Sequence, residues 1–595
     1  MLHAVNGGFY FENKNQFCCT AALDGAGNCA APPANGVCAS GPNLGEEVWA
    51  YIPYNLQPHL KCLANKFYAH KYFVDQKPRI FDVQIFQEDA DHVGGWGTIL
   101  VGSMRFGGAP VLAETLDDGN EDGIDDKREF TSSFFILDIT NPDKDPVLLG
   151  EMTRTTDGGY VDLNYTTSAP SMIIMRDGFP TSATEGNTKT EWYLAMGNGP
   201  AEMDGTNSSG KKGTLAILPL EWLAGKATNW SAGIPTAINP ASKQAFRIVD
   251  TAPSQGGSYS VPLEHDGGYI SDIISVDYNI NISAADELGA RYRTDALYFG
   301  TVDGTDFKPY PDAYLNGLAD QTYWNGGGRV FRMVTKMLET KTIDGEQVLE
   351  ERASTPSEWP SAWSNQDHPF RMLADVKMPV VAAPSIGYDG DNYWVYAGTG
   401  RFYDEKDKTD NGWCINSPCN ADGSRSKVSM FGFKEPFKDA TSSFDDWQNI
   451  PPSTVNVTCD DSLMTWGTID WDINADDNQN DDLDDNDPPG QRGLMQTDNI
   501  LVGLGTGYLY CYHCKTNPNN PAQFQCTALP ETDCFPDGDT GPIYDTELEQ
   551  YTFDKLRTYI AGTGCLTDKS TGLDGWYHAF HDDRERNLGT STLLG

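Results

Sequence analysis

The sequence predicts an all-β protein, built as a β-propeller of about six to seven blades with long loop insertions. Three observations favour this fold class: abundant glycine and proline, almost no helical periodicity, and a short apolar strand that recurs along the chain. Glycine and proline number 60 and 35 among the 595 residues, which is typical of a turn-rich β protein. Aromatic residues make up 11% of the chain, so a packed core is expected.

The recurring element is an apolar strand that ends in a glycine turn. Its five glycines, separated by 95, 103, 98 and 105 residues, are Gly102, Gly197, Gly300, Gly398 and Gly503. A second β-rich run follows each strand, at 134–138, 213–217, 328–332, 428–432 and 508–511. Paired apolar strands repeated in this way are what propeller blades supply, because each blade buries both faces only against its neighbours. The alternative, two or three β-sandwich domains in series, would not repeat one strand at one period.

The repeat spans nearly the whole chain, so a single propeller domain is predicted over residues 1–595. Because the repeat exceeds the roughly 40–50 residues of a simple blade, loop insertions are expected, notably at 10–45, 440–490 and 511–545. Helical periodicity is confined to short segments such as 67–74. The first residues look like a strand entered midway, and the last blade stops short at Gly595. The chain is therefore expected to be a fragment that lacks an N-terminal region and the end of its last blade; a processed form and a mispredicted start are the alternatives.

The charge of the chain excludes one class of partner. With 85 acidic and 42 basic residues the formal net charge is −43, and such a chain has no general affinity for nucleic acid. Cations, neutral surfaces and basic proteins are the expected partners. No stretch approaches the roughly 18 apolar residues of a membrane span, so no transmembrane segment is predicted. No signal peptide is visible at the N-terminus either.

The thirteen cysteines fall into two sets, five between Cys18 and Cys62 and eight between Cys414 and Cys565. Most lie in loops rich in glycine, proline and asparagine, where disulfides contribute most. Pairing within each set is predicted, together with an oxidising, extracytoplasmic compartment. The odd count leaves one thiol over. Cys511 and Cys514 form a lone C-x-x-C, which favours a loop staple over a zinc or haem site.

The sharpest chemical signal is an acidic loop over 118–129, which fits D-x-[DN]-x-[DN]-G-x5-E at every specified position. The predicted ligands are Asp118, Asn120, Asp122, Ile124 through its backbone carbonyl, Asp126 through water, and Glu129 with both oxygens. Calcium suits this set because it takes six to eight oxygen ligands. A strand is expected after the loop, so the site would not open flanking helices. The alternative is a solvated acidic turn.

Several segments, taken together, resemble the C-terminal propeller of the PilC/PilY-type tip adhesins of type IV pili. They are MLHAV at 1–5, GEEVWAYIP at 45–53, HKYFVD at 70–75, WGTILVG at 96–102, LDITNP at 137–142, DALYFG at 295–300, WVYAGTGRF at 394–402 and DGWY at 574–577. They occur in one order over almost the whole chain. The N-terminal von Willebrand A-like module of many members is absent, and so is any Arg-Gly-Asp, so integrin binding does not carry over.

The resemblance implies a second calcium loop, since the family has D-x-D-x-D-x-x-x-D before a blade strand. Its places correspond to Asp277, Asn279, Asn281 and Asp295. Two carboxylates have become amides and the last spacing is longer, which weakens binding; the alternative is a plain Asx-turn. A third acidic run at 470–487 alternates Asp and Asn over much of its length. It either wraps calcium or is a solvated loop.

The resemblance also implies a non-enzymatic role outside the cell, at the pilus tip or associated with the outer membrane. The expected partners are minor pilins of the type IV pilus tip and a host or abiotic surface. The protein would support pilus assembly, oppose retraction and mediate attachment. One alternative is a quinone-dependent dehydrogenase, since these enzymes are calcium-containing propellers (a quinoprotein-like fold) and Cys18-Cys19 resembles their adjacent cysteine pair. The other is a secreted propeller binding module unrelated to pili. No motif of hydrolases, metalloproteases or nucleotide-binding enzymes is found.

Overall fold

A computed structural model describes the chain. It covers, with short gaps inside several ranges, residues 1–114, 127–153, 163–176, 190–207, 213–220, 246–250, 268–277, 293–309, 322–353, 372–408, 428–439, 494–502, 509–528, 544–551 and 575–590. The chain divides into two compact units, Met1–Thr156 with Trp222–Lys243, and Asp157–Glu221 with Gln244–Gly595.

The described strands of the first unit pair with antiparallel neighbours only. They are β1 (Leu2–Val5), β2 (Phe9–Phe11), β3 (Gln16–Cys18), β4 (Glu47–Tyr51), β5 (Arg79–Gln84), β6 (Trp96–Ser103), β7 (Val111–Glu114), β8 (Lys127–Phe130), β9 (Ser133–Asp138) and β10 (Val147–Thr153). The central sheet has the order β10-β9-β6-β5, and the other strands form the pairs β1-β4, β2-β3 and β7-β8. A 3-10 segment covers Tyr54–Ala64 and a short one Val93–Gly95. The helix expected over 67–74 is wrong, since those residues form a turn, bends and irregular chain.

The second unit holds the remaining described strands. They are β11 (Ser171–Arg176), β12 (Thr190–Gly197), β13 (Thr214–Pro219), β14 (Phe246–Asp250), β15 (Tyr269–Val276), β16 (Ala296–Val302), β17 (Phe307–Pro309), β18 (Thr322–Trp324), β19 (Arg329–Val334), β20 (Lys336–Ile343), β21 (Glu346–Ala353), β22 (Met372–Asp375), β23 (Ser385–Tyr388), β24 (Asn392–Gly398), β25 (Ser429–Asp439), β26 (Leu494–Gln496), β27 (Ile500–Val502), β28 (Leu509–Asn517), β29 (Asn520–Ala528), β30 (Tyr544–Asp545), β31 (Gln550–Tyr551) and β32 (Gly575–Ala579). A 3-10 turn covers Glu405–Lys408.

The larger sheets of this unit follow chain order, except that β32 lies between β25 and β26. Their strand orders are β11-β12-β13-β14, β15-β16-β19-β22, β23-β24-β25-β32-β26 and β27-β28-β29, beside the pairs β17-β18, β20-β21 and β30-β31. The pairing is antiparallel except between β26 and β32. The all-β class is thus confirmed for the described residues. Of the predicted insertions, 440–490 lies outside them, and 511–545 contains the hairpin of β28 and β29.

The strand pairs predicted from the repeat are confirmed in all five copies. Each glycine-ending strand pairs antiparallel with the β-rich run that follows it: β6 with β9, β12 with β13, β16 with β19, β24 with β25, and β27 with β28. In the first four pairs the recurring glycine lies opposite the second or third residue of the partner strand, namely Phe135, Leu215, Val330 and Met430 respectively. In the first four copies the repeat therefore marks two inner strands of a sheet, whereas in the fifth copy β27 lies at the edge of its described sheet.

Close packing explains two of the recurring glycines, Gly102 and Gly300, and the turn expected directly after these two is wrong. β6 continues beyond Gly102 to Ser103, and β16 continues beyond Gly300 to Val302. A Cβ atom at Gly102 would lie 2.3 Å from the ring of Phe135, and one at Gly300 would lie 2.3 Å from Cγ1 of Val380. Both distances are far below ordinary contact, so only glycine lets these neighbours pack against the strand.

The sheet that contains β16 is buried on both faces. Leu297 and Phe299 join a core cluster with Ala195 and Ile217 of the preceding sheet. The alternate residues Ala296 and Tyr298 join a second cluster with residues of the following sheet, Val395, Phe431 and Phe433 among them. Because successive side chains point to opposite faces, a strand buried on both faces reads as a continuous apolar run, which is why the strands stand out in the sequence.

Two disulfides staple the 10–45 segment, Cys18–Cys29 and Cys19–Cys38. Four cysteines of the first set thus pair among themselves, as predicted, and Cys62 is left as a half-buried thiol. The side chains of the second set lie outside the described residues, so pairing within that set stays a prediction.

A buried carboxylate ties the 3-10 segment of the first unit to its central sheet. Glu151 on β10 is 4% exposed. It accepts hydrogen bonds from the Tyr51 hydroxyl at 2.7 Å, the Tyr54 backbone N–H at 2.5 Å, and the Asn55 side-chain amide and backbone N–H at 2.7 and 3.2 Å. Burial, followed by the charge and hydrogen bond of Glu151, raises the pKa of Tyr51. All four donors therefore need an acceptor at this position.

Replacing Glu151 with Gln is expected to destabilise the first unit by about 1–3 kcal/mol. The side-chain NH2 group of glutamine would face hydrogen-bond donors that now contact a carboxylate oxygen, so at least one buried polar group would lose its hydrogen bond. Glu47→Gln is the matched control, since Glu47 is exposed and faces only His3. The urea midpoints of the two variants measure the difference. Equal midpoints would contradict the role assigned to Glu151.

Candidate metal sites

The first predicted calcium loop joins the two strands of a hairpin. β7 and β8 pair in the register Glu114–Lys127, Ala113–Arg128 and Leu112–Glu129. The loop ends are thus adjacent, and Glu129 lies in β8, two residues beyond the pair that closes the loop. Asp118, Asn120, Asp122, Ile124 and Asp126 lie outside the described residues. The strand predicted over 130–139 is confirmed in part, since β8 begins within the loop at Lys127 and β9 covers Ser133–Asp138. The calcium ligands stay a prediction.

The β7–β8 hairpin is anchored to the first unit by an aromatic contact. The ring centroids of Phe130 on β8 and Tyr54 lie 5.5 Å apart, and Phe130 is buried. Tyr54 in turn donates its backbone N–H to Glu151. An ion bound in the loop would therefore be coupled through the hairpin to the packed part of the first unit.

The structure brings together two of the four residues predicted for the second calcium loop. β15 and β16 pair up to Val276 opposite Ala296, and the N–H of Asp295 donates to the carbonyl oxygen of Val276 at 2.8 Å. Asp277 and Asp295 therefore flank the same end of the strand pair, although they are far apart in sequence. Asn279 and Asn281 lie outside the described residues.

Asp295 is more deeply buried than a surface loop ligand would be. Its exposure is 0%, and the equally buried Arg293 forms an ion pair with it, with 3.7 Å between Nε and Oδ1. The backbone around it is held in place: the Thr294 N–H donates to Ile174, and the Thr335 N–H donates to the carbonyl of Asp295 at 3.0 Å. The sequence pattern did not reveal Arg293, a cation next to a predicted calcium ligand.

The negative charge of both aspartates reaches a tyrosine of the next sheet. The pKa of Tyr393 on β24 is raised by burial and, after the neighbouring Tyr388, by the charges of Asp295 and Asp277. Among the described residues, no group of three or more His, Cys, Asp or Glu side chains is arranged to hold a metal ion. The described part of this site thus supplies two carboxylates, one of them paired with an arginine.

The sequence analysis missed an arginine at the centre of a packed cluster. Arg401 is 2% exposed, and its guanidinium carbon lies 3.8 Å from the ring centroid of Trp324 and 4.9 Å from that of Phe307. Nε lies 3.0 Å from Oδ1 of the buried Asp407, and Nη2 donates to the carbonyl of Asp204 at 2.6 Å. The segment 394–402 carried the family resemblance, but nothing in it indicated this structural role.

The described residues define a class of protein: a β-rich, disulfide-containing chain of repeated sheets. One of its hairpins, β7–β8, flanks the acidic motif of the sequence. Comparison with curated proteins finds similarity to type IV pilus biogenesis factors. The chain is 30% identical over 158 residues to the type IV pilus biogenesis factor PilY1 of Pseudomonas aeruginosa, covering 26% of this chain and 10% of that protein. Two PilY1 homologs of Xylella fastidiosa are 27% and 26% identical over 178 and 217 residues.

These similarities confirm the resemblance to PilY-type pilus proteins. The matches to the Xylella proteins cover 30% and 35% of this chain and 9% and 13% of those proteins, so each match spans a small part of a much longer relative. No family model matches the chain, and no solved structure gives a significant match. Among the described residues, no helix combines the length and apolar character needed to cross a membrane.

Proposed function

We propose that this chain acts in type IV pilus biogenesis, as a calcium-binding, non-enzymatic adhesin region exposed at the cell surface or the pilus tip. The similarity to three curated type IV pilus biogenesis factors carries the proposal. The two disulfides of the 10–45 segment support an oxidising, extracytoplasmic location. Its partners in this proposal are minor pilins and a host or abiotic surface.

The proposed architecture is a β-propeller. Support comes from sheets in which each recurring strand pairs with the β-rich run that follows it. In the second unit, both faces of the β16 sheet are buried against the sheets before and after it. A propeller blade requires this double burial. Such a frame would leave the connecting loops, including the proposed calcium loop 118–129, at the surface.

The disulfide pairing disfavours the quinone-dependent dehydrogenase. Cys18 and Cys19 are joined to Cys29 and Cys38 respectively, and not to each other. The two adjacent cysteines therefore belong to two separate disulfides, unlike a pair of adjacent cysteines bonded to each other. A propeller binding module unrelated to pili remains distinguishable by experiment, since only a pilus protein co-purifies with pilin subunits.

The role of the second loop is tested in the source organism. Asp277→Ala is expected to change the number of surface pili or twitching motility well beyond any change in protein abundance. A cation at Asp277 would tie the loop 278–292 to the frame, whereas the strands keep their own ladders and packing. Surface-pilus counts, motility and protein level are measured together, with the exposed Asp145→Ala as control. Normal pili, motility and calcium response in Asp277→Ala would overturn the regulatory role of this loop.

The pilus role itself is tested by deleting the gene and complementing it with the wild-type chain in its native context. Loss of surface pili on deletion, recovery on complementation, and co-purification of minor pilins would support the proposal. Unchanged piliation on deletion would refute it, whatever Asp277→Ala does.

A further inference from the structure

A histidine joins two connections at one end of the central sheet of the first unit. Residues 85–95 connect β5 to β6, and residues 139–146 connect β9 to β10. His92, in the first connection, places Nδ1 3.0 Å from Oδ1 of Asp89 and Nε2 3.0 Å from Oδ2 of Asp138 at the end of β9. The imidazole is 13% exposed and Asp138 is 11% exposed, so water has little access to this ion pair, whereas Asp89 is 58% exposed.

The two carboxylates require a particular form of the ring. A neutral imidazole has one N–H donor and one lone pair, whereas the imidazolium has two donors. Carboxylates are acceptors only, so the neutral ring would turn a lone pair toward one of them. The other oxygen of Asp138 is already occupied, because Oδ1 accepts from the N–H and hydroxyl of Thr140. The geometry thus fits a protonated His92.

The remaining charges around the ring leave this preference intact. Asp91, on the same connection, is engaged by Lys144 and by the Asn141 amide at 2.7 Å from the opposite connection. Phe86 stacks on the imidazole, with 4.1 Å between ring centroids. Burial acts to lower the pKa of His92, but the hydrogen bonds and charges of Asp89 and Asp138 outweigh it, and the net shift is upward. In agreement, hydrogen bonds from His92 lower the pKa of Asp89.

We propose that His92 is a pH-sensitive latch that holds connection 85–95 against the end of β9. Next to the latch lie two exposed apolar side chains, Val93 at 72% and Trp96 at 47% exposure. Release of the latch frees the backbone that carries Val93, while the bridge from Asp91 to Lys144 still joins the two connections. The latch therefore sets the local order of an exposed apolar segment.

The direction of the pH dependence follows from the upward shift. The stabilisation is fully present below the unfolded-state value of about 6.5 and is lost as the pH rises through the higher folded-state value. An environment that becomes more alkaline therefore loosens connection 85–95, and a mildly acidic one orders it.

The test uses the full chain with isotope-labelled histidine, and the His92 resonance is assigned by its loss in His92→Gln. We expect the His92 pKa to lie above its ordinary value in the wild type and to be lowered in Asp138→Asn. It should be unchanged in Asp143→Asn, which alters an exposed carboxylate of connection 139–146. A His92 pKa at or below the ordinary value in the wild type would overturn the proposal without reference to any variant.

Hydrogen exchange followed by mass spectrometry gives the structural readout. After correction for the intrinsic pH dependence, amides of 85–95 should exchange about fivefold faster above the transition than below it, the factor of one ordinary hydrogen bond. Amides of β12 serve as the internal control. In His92→Gln this pH dependence should vanish, because glutamine does not titrate. Equal protection of 85–95 across the transition in the wild type would show that His92 titrates without acting as a latch.

Discussion

Arg401→Met is expected to lower the free energy of unfolding of the second unit by about 3–5 kcal/mol, since it leaves Asp407 charged and buried without its partner. Asp407 is 0% exposed. Its Oδ2 accepts from the backbone N–H groups of Tyr403 and Asp404 at 2.7 and 2.9 Å, which cannot neutralise the charge. Methionine keeps most of the side-chain volume against Trp324, so the loss measures the ion pair more than the packing.

A matched control lies within the same cluster. Lys406 forms an ion pair with Asp204 at 3.0 Å, but its side chain is 50% exposed, so Lys406→Met should cost about 0–1 kcal/mol. Urea denaturation followed by tryptophan fluorescence compares the two variants. If Arg401→Met unfolds at the same urea concentration as Lys406→Met, the buried pair contributes no more than a surface pair, and the role assigned to Arg401 is wrong.

Calcium is expected to stabilise the chain through the loop 118–129, by about 2.7 kcal/mol at a hundredfold excess of free calcium over the Kd. The loop closes the β7–β8 hairpin, whose Phe130 packs on Tyr54. Binding there therefore favours the folded first unit. Asp122→Ala removes a predicted side-chain ligand and should abolish most of this gain.

Thermal unfolding in calcium and in chelator measures the gain, and calorimetry measures the binding. Asp143→Ala, which removes one exposed carboxylate elsewhere in the same unit, controls for the loss of negative charge. The same melting temperature for Asp122→Ala and the wild type in both calcium and chelator would refute this calcium site. If calcium raises the melting temperature of Asp143→Ala but not that of Asp122→Ala, the calcium site is established.

The inner strands of the sheets could be predicted because their signal is local. A strand buried on both faces needs apolar side chains at successive positions, as in Leu297–Phe299, and that run is visible in the sequence without knowledge of its neighbours. The pairing of β16 with β19 followed from repetition, since five copies of one two-strand pattern point to one structural unit. The similarity to pilus biogenesis factors was likewise carried by contiguous segments.

The reason for each recurring glycine was decided by tertiary structure. The sequence shows Gly300 at the end of an apolar run, which indicates a turn. Only the fold shows that Val380, 80 positions later, occupies the space where a Cβ atom would lie. A turn depends on the chain next to it, whereas this contact depends on where another segment packs.

The charged sites show the same division. Local spacing was enough to single out Asp118–Glu129, whereas Asp277 and Asp295 were proposed as partners from the family resemblance, and the register of β15 with β16 places these two together. Arg401 next to the carbonyl of Asp204 and His92 next to Asp138 join residues 197 and 46 positions apart. The sequence by itself determined which strands are buried and where acidic loops lie. Which charges meet was left to the fold, because electrostatic energy depends on distance and burial in space and not on separation along the chain.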